Sequence, residues 1–149
     1  MRMIQENKSS RSLLQDILTR PLFAHLSTMD EGGPRESPLW FYWDGEFIWM
    51  LGSYQTNSFP KRIEAEPRCA IGIVDFKVET GLVHHVGLRG KAHLEPQYEN
   101  LVKRLLSKYM GEVERWDPRF HAVLGDKDWI FVKFSPETVV VRDQSYSLQ

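Results

Sequence analysis

The sequence predicts a mainly β protein whose antiparallel sheet closes, fully or partly, into a barrel with flanking helices. Two observations predict the strands: apolar and polar residues alternate through much of the chain, and turn signals such as Asp44-Gly45 separate the alternating segments. A third observation predicts closure, because so many short strands in an open sheet would leave exposed edges. The 149 residues contain no repeat or linker, so we predict one domain, residues 1–149.

The first half of the chain is predicted to contain two helices and four strands. The N-terminal region, residues 1–20, includes a helix at Ser12–Thr19, because its apolar residues form one stripe that stops before Pro21. A second, short helix ends near Glu66, since Pro67 cannot continue it. The predicted strands are Pro21–Thr28, Arg35–Trp43 and Glu46–Leu51, which are expected to be three consecutive antiparallel strands, and Arg68–Phe76, which is apolar on both faces.

The second half is predicted to contain a long strand, a helix and two final strands. Gly87 and Gly90 indicate a bulge or sharp coiling in the long strand. The helix, Pro96–Met110, has one apolar face and is followed by Gly111. The remaining predicted segments are strand Leu82–Leu94, the irregular stretch Glu112–Asp128, strands Trp129–Phe134 and Thr138–Arg142 joined by Ser135-Pro136-Glu137, and a loosely held tail, Asp143–Gln149.

Composition excludes several classes of protein. The net charge of −1 gives no reason to expect nucleic acid or an anionic membrane as a partner. The single cysteine, Cys69, excludes an intramolecular disulfide and is predicted to be an inert core residue. No apolar run resembles a signal peptide or a membrane span, so we expect a cytoplasmic protein. Five Trp, eight Phe and five Tyr indicate a large dimer interface or a flat aromatic ligand.

The segment Ser53–Arg62 places hydroxyl groups, an amide and two cations between an aromatic strand and a helix. Phosphate oxygens require several donors and positive charge, which such groups supply near a helix N-terminus. Ser, Asn and Pro also form ordinary helix-capping loops, so phosphate binding and capping both remain open. In the preceding strand, Pro38 indicates an edge whose free backbone groups suit the polar rim of a flat heterocycle.

The histidine pair His84-His85 does not predict a metal site. Adjacent residues on a strand point to opposite faces, and no Cys or carboxylate lies at ligand spacing. One of the pair is expected to face a ligand or a dimer interface, or both are ordinary strand histidines. The chain also has no Gly-x-Ser-x-Gly, phosphate-loop or GxGxxG motif, so hydrolysis, phosphoryl transfer and Rossmann-type nucleotide binding are not predicted.

Residues Pro21–Leu94 resemble the flavin-binding split-barrel superfamily that includes pyridoxamine 5'-phosphate oxidase. The motifs that carry the resemblance are Phe23-Ala-His-Leu-Ser-Thr28, the Gly-rich turn after it, Ser37-Pro-Leu-Trp-Phe41, Asp44-Gly45 and Glu66-Pro-Arg68. The resemblance implies an antiparallel FMN-binding split barrel and a homodimer with FMN at the subunit interface. It also implies a flavin-dependent oxidoreductase that passes hydride or electrons between NAD(P)H and a small-molecule substrate.

The resemblance further implies which residues hold the cofactor. The flavin ring would lie against Ser37, Pro38, Leu39 and Trp40, and the ribityl phosphate against Ser53, Thr56, Asn57, Ser58, Lys61 and Arg62. From the other subunit, His84, His85, Arg89, Trp116 and Trp129 are candidates to close the site. The family's Ser-Arg-Lys motif is here Ser58-Phe-Pro-Lys61 and its C-terminal substrate-binding pattern has no counterpart, so pyridoxamine phosphate oxidation is not expected. No catalytic acid or base is predicted.

Two hypotheses of other classes remain open. The chain would be a non-catalytic module that stores or senses flavin or binds haem through His84 or His85, or a flavin-free dimer that serves as a scaffold. Nothing in the residues distinguishes FMN from a deazaflavin.

Overall fold

One eight-stranded sheet organises the computed structural model, which describes residues 1–149. The strands are β1 (Arg2–Ile4), β2 (Ala24–Asp30), β3 (Gly33–Leu39), β4 (Tyr42–Trp43), β5 (Ile48–Ser53), β6 (Arg68–Lys77), β7 (Leu82–Glu95) and β8 (Trp129–Asp143). The helices are α1 (Ser10–Thr19), α2 (Phe59–Ala65), α3 (Glu99–Met110) and α4 (Pro118–His121), with a 3-10 turn at Val113–Arg115. None of these helices has the length and apolarity needed to cross a bilayer.

The sheet curls into a barrel because of where its edge strands lie. The strand order is β3-β2-β6-β7-β8-β5-β4, and β1 runs parallel to β8 beside this path. β3 and β4 are therefore at opposite ends of the order, yet only Trp40 and Phe41 separate them along the chain. Three Cα–Cα steps of about 3.8 Å bring the two edges within about 12 Å of each other. The predicted split barrel, mainly antiparallel with flanking helices, is confirmed.

The barrel interior forms the larger of two hydrophobic cores. Alternate residues of β2, β6, β7 and β8 point inward, and α1 and α2 add apolar side chains to them. Residues of this interior core that are at most 1% exposed include Ile17, Leu18, Leu26, Ile48, Ile63, Ile71, Ile73, Leu88 and Val139. Cys69 packs against the same core, as predicted, and burial raises the pKa of its thiol to about 12, so the thiol is un-ionised at neutral pH.

A second core lies outside the barrel, under α3. Its buried members are Trp49, Val102, Leu105, Leu106, Trp116, Val123 and Phe131. Trp49 comes from β5, whose neighbouring residues Ile48 and Met50 face the interior core, so this strand is buried on both faces. The helix α3 is therefore fixed against the barrel wall by its apolar stripe.

The prediction of three consecutive antiparallel strands is wrong. β2 pairs with β3 and β4 pairs with β5, but β3 and β4 are not paired. The strand breaks at Phe41, which is fully buried. Its N–H donates to the hydroxyl oxygen of Tyr109 (3.0 Å) and its carbonyl accepts from the amine of Lys108 (2.9 Å). Contacts to α3 thus replace a strand partner at this residue.

The prediction of two final strands is also wrong, because β8 runs unbroken from Trp129 to Asp143. Ser135-Pro136-Glu137 forms a bulge instead of a turn, with the register shift opposite Arg89 and Gly90. The glycine predicted to mark an irregularity is required there, since a Cβ on Gly90 would lie 2.1 Å from the Ser135 carbonyl oxygen. The expected loose tail is held in part, because the Gln144 and Tyr146 N–H groups donate to the carbonyls of Val83 and Gly81.

Candidate functional site

A charged cleft lies between the β2–β3 hairpin and α2. Its volume is about 540 Å³. We call it the charged cleft. Its lining residues are Met29, Asp30, Glu31, Gly32, Arg35, Lys61, Arg62 and Ala65. Lys61 and Arg62 are two of the residues that the sequence analysis assigned to a phosphate, and the fold brings Arg35 beside them. Three cations against two carboxylates give the charged cleft a positive balance, which suits an anion.

The two predicted cations of the charged cleft have no carboxylate partner. Arg62 donates from Nε to the Thr28 hydroxyl oxygen (2.7 Å) and from Nη1 to the Ser58 hydroxyl oxygen (2.7 Å). The amine of Lys61 lies 5.1 Å from the centre of the Tyr54 ring, and its side chain is exposed. Arg62 is therefore held in place by neutral oxygens, and both cations keep their charge available for a ligand.

Arg35 is only partly available to an anion. Its Nε lies 3.2 Å from Asp30 Oδ2. The pKa of Asp30 is lowered, first by the hydrogen bond that it accepts from the Gly32 N–H and then by the charges of Arg35 and Arg62. A ligand phosphate in the charged cleft would have to compete with this carboxylate for Arg35, whereas Lys61 and Arg62 form no ion pair, although the charge of Arg62 is felt by Asp30.

The loop before α2 is stabilised by its own side chains. Ser53 is buried, its N–H donates to Asn57 Oδ1 (2.7 Å), and the Thr56 N–H donates to Ser53 Oγ (3.2 Å). Asp128 anchors the same loop, accepting from the Ser53 hydroxyl and from the Gln55 N–H (3.0 Å). The polar groups of Ser53 and Asn57 are thus used within the protein, which favours the loop-forming interpretation for these two residues.

At the start of α2 the side chain of Ser58 makes no capping hydrogen bond. Its hydroxyl oxygen accepts from Arg62 instead, and Thr56 and Ser58 are both exposed. Six residues were assigned to a phosphate. Thr56, Ser58, Lys61 and Arg62 remain accessible, whereas the side chains of Ser53 and Asn57 form hydrogen bonds within the protein.

The residues assigned to a flavin ring lie at the end of β3, which is an edge strand, as Pro38 indicated. Ser37 and Leu39 are half-buried and Pro38 is exposed. Both faces of the Trp40 indole are covered within the chain: the Tyr109 ring stacks on one at 4.5 Å between centroids, and the Phe120 ring on the other at 5.5 Å. Trp40 can therefore meet a ligand by its edge or its backbone, but not by stacking.

An apolar cavity of about 230 Å³ adjoins this end of β3. It lies between the strand ends and the helices α3 and α4. We call it the apolar cavity. Its lining residues are Phe23, Pro38, Leu39, Trp40, Leu51, Leu105, Leu106, Phe120, Val123 and Trp129. Three of the four residues assigned to a flavin ring, Pro38, Leu39 and Trp40, thus form part of its wall.

A buried amine lies behind the Trp40 stack. The Lys108 amine is 3.5 Å from the centre of the Phe41 ring and faces no carboxylate, and burial lowers its pKa to about 7. The neighbouring hydroxyl of Tyr109 donates to the Leu22 carbonyl (2.6 Å), and burial raises its pKa to about 12. Neither residue was identified from the sequence, because the helical apolar stripe of α3 gives no signal for a buried amine.

The candidates for closing a partner's site fall in two places. His85 and Arg89 line a groove of about 460 Å³ on the outer face of β6, β7 and β8, and the Arg142 guanidinium lies 3.3 Å from His85 Nδ1. Burial and the charge of Arg142 lower the pKa of His85. Trp129 lines the apolar cavity, whereas Trp116 is only 4% exposed and belongs to the second core, so its indole is not accessible to another subunit.

His84 and His85 face opposite sides of the sheet, as the sequence analysis expected. His84 Nε2 lies 3.5 Å from Asp143 Oδ1, and its Nδ1 is buried without a hydrogen-bond partner. No group of three or more His, Cys, Asp or Glu side chains is arranged to hold a metal ion.

The family model described as pyridoxamine 5'-phosphate oxidase matches residues 11–139. No curated protein sequence matches the chain. Among solved structures, a conserved hypothetical protein of Mycobacterium tuberculosis has a TM-score of 0.73 at 16% identity, over 96% of this chain and 90% of that one.

Two other similar structures are of proteins that are named for a ligand. A FAD-binding protein of Mesorhizobium loti has a TM-score of 0.68 at 18% identity, over 91% of this chain and 96% of that one. HutZ, the haem storage protein of Vibrio cholerae, has a TM-score of 0.69 at 16% identity, over 97% of both chains. At such identities the likeness is one of fold. The match of the family model over most of the sequence shows that the chain belongs to the pyridoxamine 5'-phosphate oxidase family.

Proposed function

We propose that this chain is a cytoplasmic FMN-binding oxidoreductase that holds the flavin phosphate in the charged cleft and the ring along Ser37–Trp40. The observation that supports it best is that Lys61 and Arg62 meet Arg35 in one cleft while forming no ion pair of their own. A dianionic phosphate there would gain charge-assisted hydrogen bonds from groups that are already in position.

The geometry of β3 supports an extended ligand. Arg35 lies two positions before Ser37, so a rise of about 3.3 Å per residue separates them by about 7 Å along the strand edge. A ribityl chain of five carbons spans a distance of this order, so it can join an anion beside Arg35 to a ring that begins at Ser37. When bound, the flavin would supply hydride or electron transfer, while the protein orients it and excludes water from one side.

A second copy of the chain is proposed to complete the site. The outer face of β6 and the turn after it expose Val74 (53%), Phe76 (55%) and Val78 (63%), and the groove with His85 and Arg89 lies on the same side of the sheet. Apolar area of this kind on a folded chain is typical of an interface. We propose a homodimer through this face, which light scattering of the purified protein would test: a monomer at micromolar concentration would contradict it.

Titration with FMN and with riboflavin, followed by flavin fluorescence, tests the cofactor proposal. We expect FMN to bind more tightly than riboflavin. Lys61→Ala should weaken the binding of FMN about tenfold, because one charged hydrogen bond to the phosphate is lost, and should change the binding of riboflavin little. Lys8→Ala, which changes an exposed lysine before α1 and outside the charged cleft, is the matched control. Equal affinity for the two flavins, or equal losses in both variants, would contradict the phosphate assignment. Reduction of the bound flavin by NADH or NADPH then tests the oxidoreductase proposal.

A second candidate is haem binding. It is favoured by the half-buried His85 in the groove of about 460 Å³, whose floor is opened by Gly72 and Gly87. A Soret band on haem addition that is lost in His85→Ala and kept in Lys61→Ala would favour this function over the first.

A further inference from the structure

The apolar cavity has a lining that selects against charge. None of its ten lining residues carries an ionisable side chain, and Leu105, Leu106 and Val123 are at most 6% exposed. Phe23 is 49% exposed, so the apolar cavity reaches solvent on that side. An ionised ligand would lose its hydration here without gaining a partner, which costs several kcal/mol. The lining therefore favours a neutral, apolar occupant.

The shape of the wall favours an aromatic occupant. Trp40 is fixed between the Tyr109 and Phe120 rings, with interplanar angles of 3° and 19°, and the Tyr109 hydroxyl is itself held by the Leu22 carbonyl. The edge of the Trp40 indole is left for a ligand ring, and such an edge-to-face contact costs little entropy because the stack is already fixed. An apolar cavity of about 150 Å³ binds benzene, so about 230 Å³ accommodates one ring or two fused rings.

Two residues of the lining, Trp40 and Trp129, carry indole N–H donors that no group of the chain accepts from. The indole N–H groups of Trp49 and Trp116 donate to Asp44 and to the Gly111 carbonyl, whereas the indoles of Trp40 and Trp129 form no hydrogen bond within the chain. A ligand that carries a single hydroxyl or carbonyl oxygen can accept from one of them. A few donors in an otherwise apolar wall are the usual composition of a small-molecule site.

We infer that the apolar cavity is a binding site for a small neutral aromatic molecule of one or two fused rings, bearing at most a hydroxyl or carbonyl group. Because Pro38, Leu39 and Trp40 belong both to this wall and to the proposed ring site, such a molecule is the substrate class expected next to the flavin. Only that last step rests on the proposed function.

The test uses 2-naphthol as the probe and 2-naphthoate, which has the same rings and a negative charge, as the matched ligand. Calorimetric titration of the full chain without flavin is expected to show 2-naphthol binding below about 1 mM and 2-naphthoate at least about tenfold weaker. Val123→Phe, which fills the apolar cavity, should weaken the binding of 2-naphthol at least about tenfold. Val113→Phe, in the same core but outside the cavity lining, should change it less than about twofold.

Equal or tighter binding of 2-naphthoate, no binding of 2-naphthol, or an unchanged affinity in Val123→Phe would each overturn the inference. Should Val123→Phe not fold, the wild-type protein still decides the question by nuclear Overhauser effects. We expect contacts between 2-naphthol and the methyl groups of Leu51, Leu105 and Leu106, and contacts confined to other methyls would overturn the site. Because flavin is absent, failure of FMN to bind would contradict the proposed function alone and leave these results as they stand.

Discussion

The two ends of β3 border sites of opposite character. At one end Arg35 faces the charged cleft with Lys61 and Arg62, whose side chains are partly or fully exposed. At the other end Pro38, Leu39 and Trp40 border the apolar cavity, whose most buried residues, Leu105 and Leu106, lie on the inner face of α3. A single edge strand therefore borders a cationic cleft at one end and an apolar cavity at the other. We therefore expect the side chains of the charged cleft to contribute to ligand binding but little to the stability of the fold. The side chains that line the apolar cavity should contribute to both.

The largest expected effect separates the two ends by stability. Leu106→Ala removes a side chain that is 3% exposed in the second core, and we expect it to lower the free energy of unfolding by about 2–5 kcal/mol. Lys61→Ala should change it by less than about 0.5 kcal/mol, because its side chain is exposed. Urea unfolding followed by far-ultraviolet circular dichroism measures both. Similar losses in the two variants would remove the distinction between the sites.

The next effect concerns the amine behind the apolar cavity. The pKa of Lys108 is lowered from 10.5 to about 7, so between these values the unfolded chain binds more protons than the folded one and stability rises with pH. Between pH 7 and 9 we expect the wild type to gain about 2 kcal/mol over Lys108→Met, after allowance for the partial exposure of the amine. Subtracting the unfolding free energy of the variant from that of the wild type at each pH removes the contribution of the other titrating groups, which the two proteins share. Parallel pH profiles from urea unfolding would show that the amine is not desolvated.

A smaller effect is expected at the loop that supports the charged cleft. Asp128→Asn weakens the bonds from the Ser53 hydroxyl and the Gln55 N–H, which we expect to cost about 1–2 kcal/mol of stability and to weaken FMN about tenfold. Glu114→Gln, an exposed carboxylate in the 3-10 turn, is the control. FMN affinity and urea midpoints unchanged in Asp128→Asn would show that the loop holds its shape without this carboxylate.

The smallest expected effect is that of salt. Raising the salt concentration from about 50 to 500 mM should weaken FMN several-fold, since the cations of the charged cleft are exposed and screened. The same change should alter 2-naphthol binding less than about twofold, because no charge lines the apolar cavity. Calorimetric titration in both buffers measures the two affinities. An equal loss of affinity for FMN and 2-naphthol would contradict the difference in charge between the two sites.

Most of the fold could be predicted from the sequence because its signals are local. The Asp44-Gly45 turn, the Gly90 irregularity and the α3 stripe each depend on residues close together in the chain. The break at Phe41 could not be predicted, since its partners Lys108 and Tyr109 are 67 and 68 positions away. The two final strands were separated in error because Pro136 signals a turn, and only pairing with β7 turns it into a bulge.

The candidate site was predictable in part for the same reason. The resemblance and the loop composition identified Lys61 and Arg62, which the fold brings together. Arg35 is distant in the sequence, and Asp128 lies at the end of a segment without periodicity, so neither gave a signal. Whether a hydroxyl or amide of the loop faces a ligand or the protein itself depends on such distant partners, as the bond between Ser53 and Asp128 illustrates.

A crystal structure of the protein grown with FMN tests the central claim most directly. We expect the phosphate within hydrogen-bond distance of the Lys61 amine and the Arg62 guanidinium, and the ring along Ser37–Trp40 beside the mouth of the apolar cavity. A phosphate bound instead in the groove of Arg89 and Arg142, with the charged cleft filled only by solvent, would contradict the account.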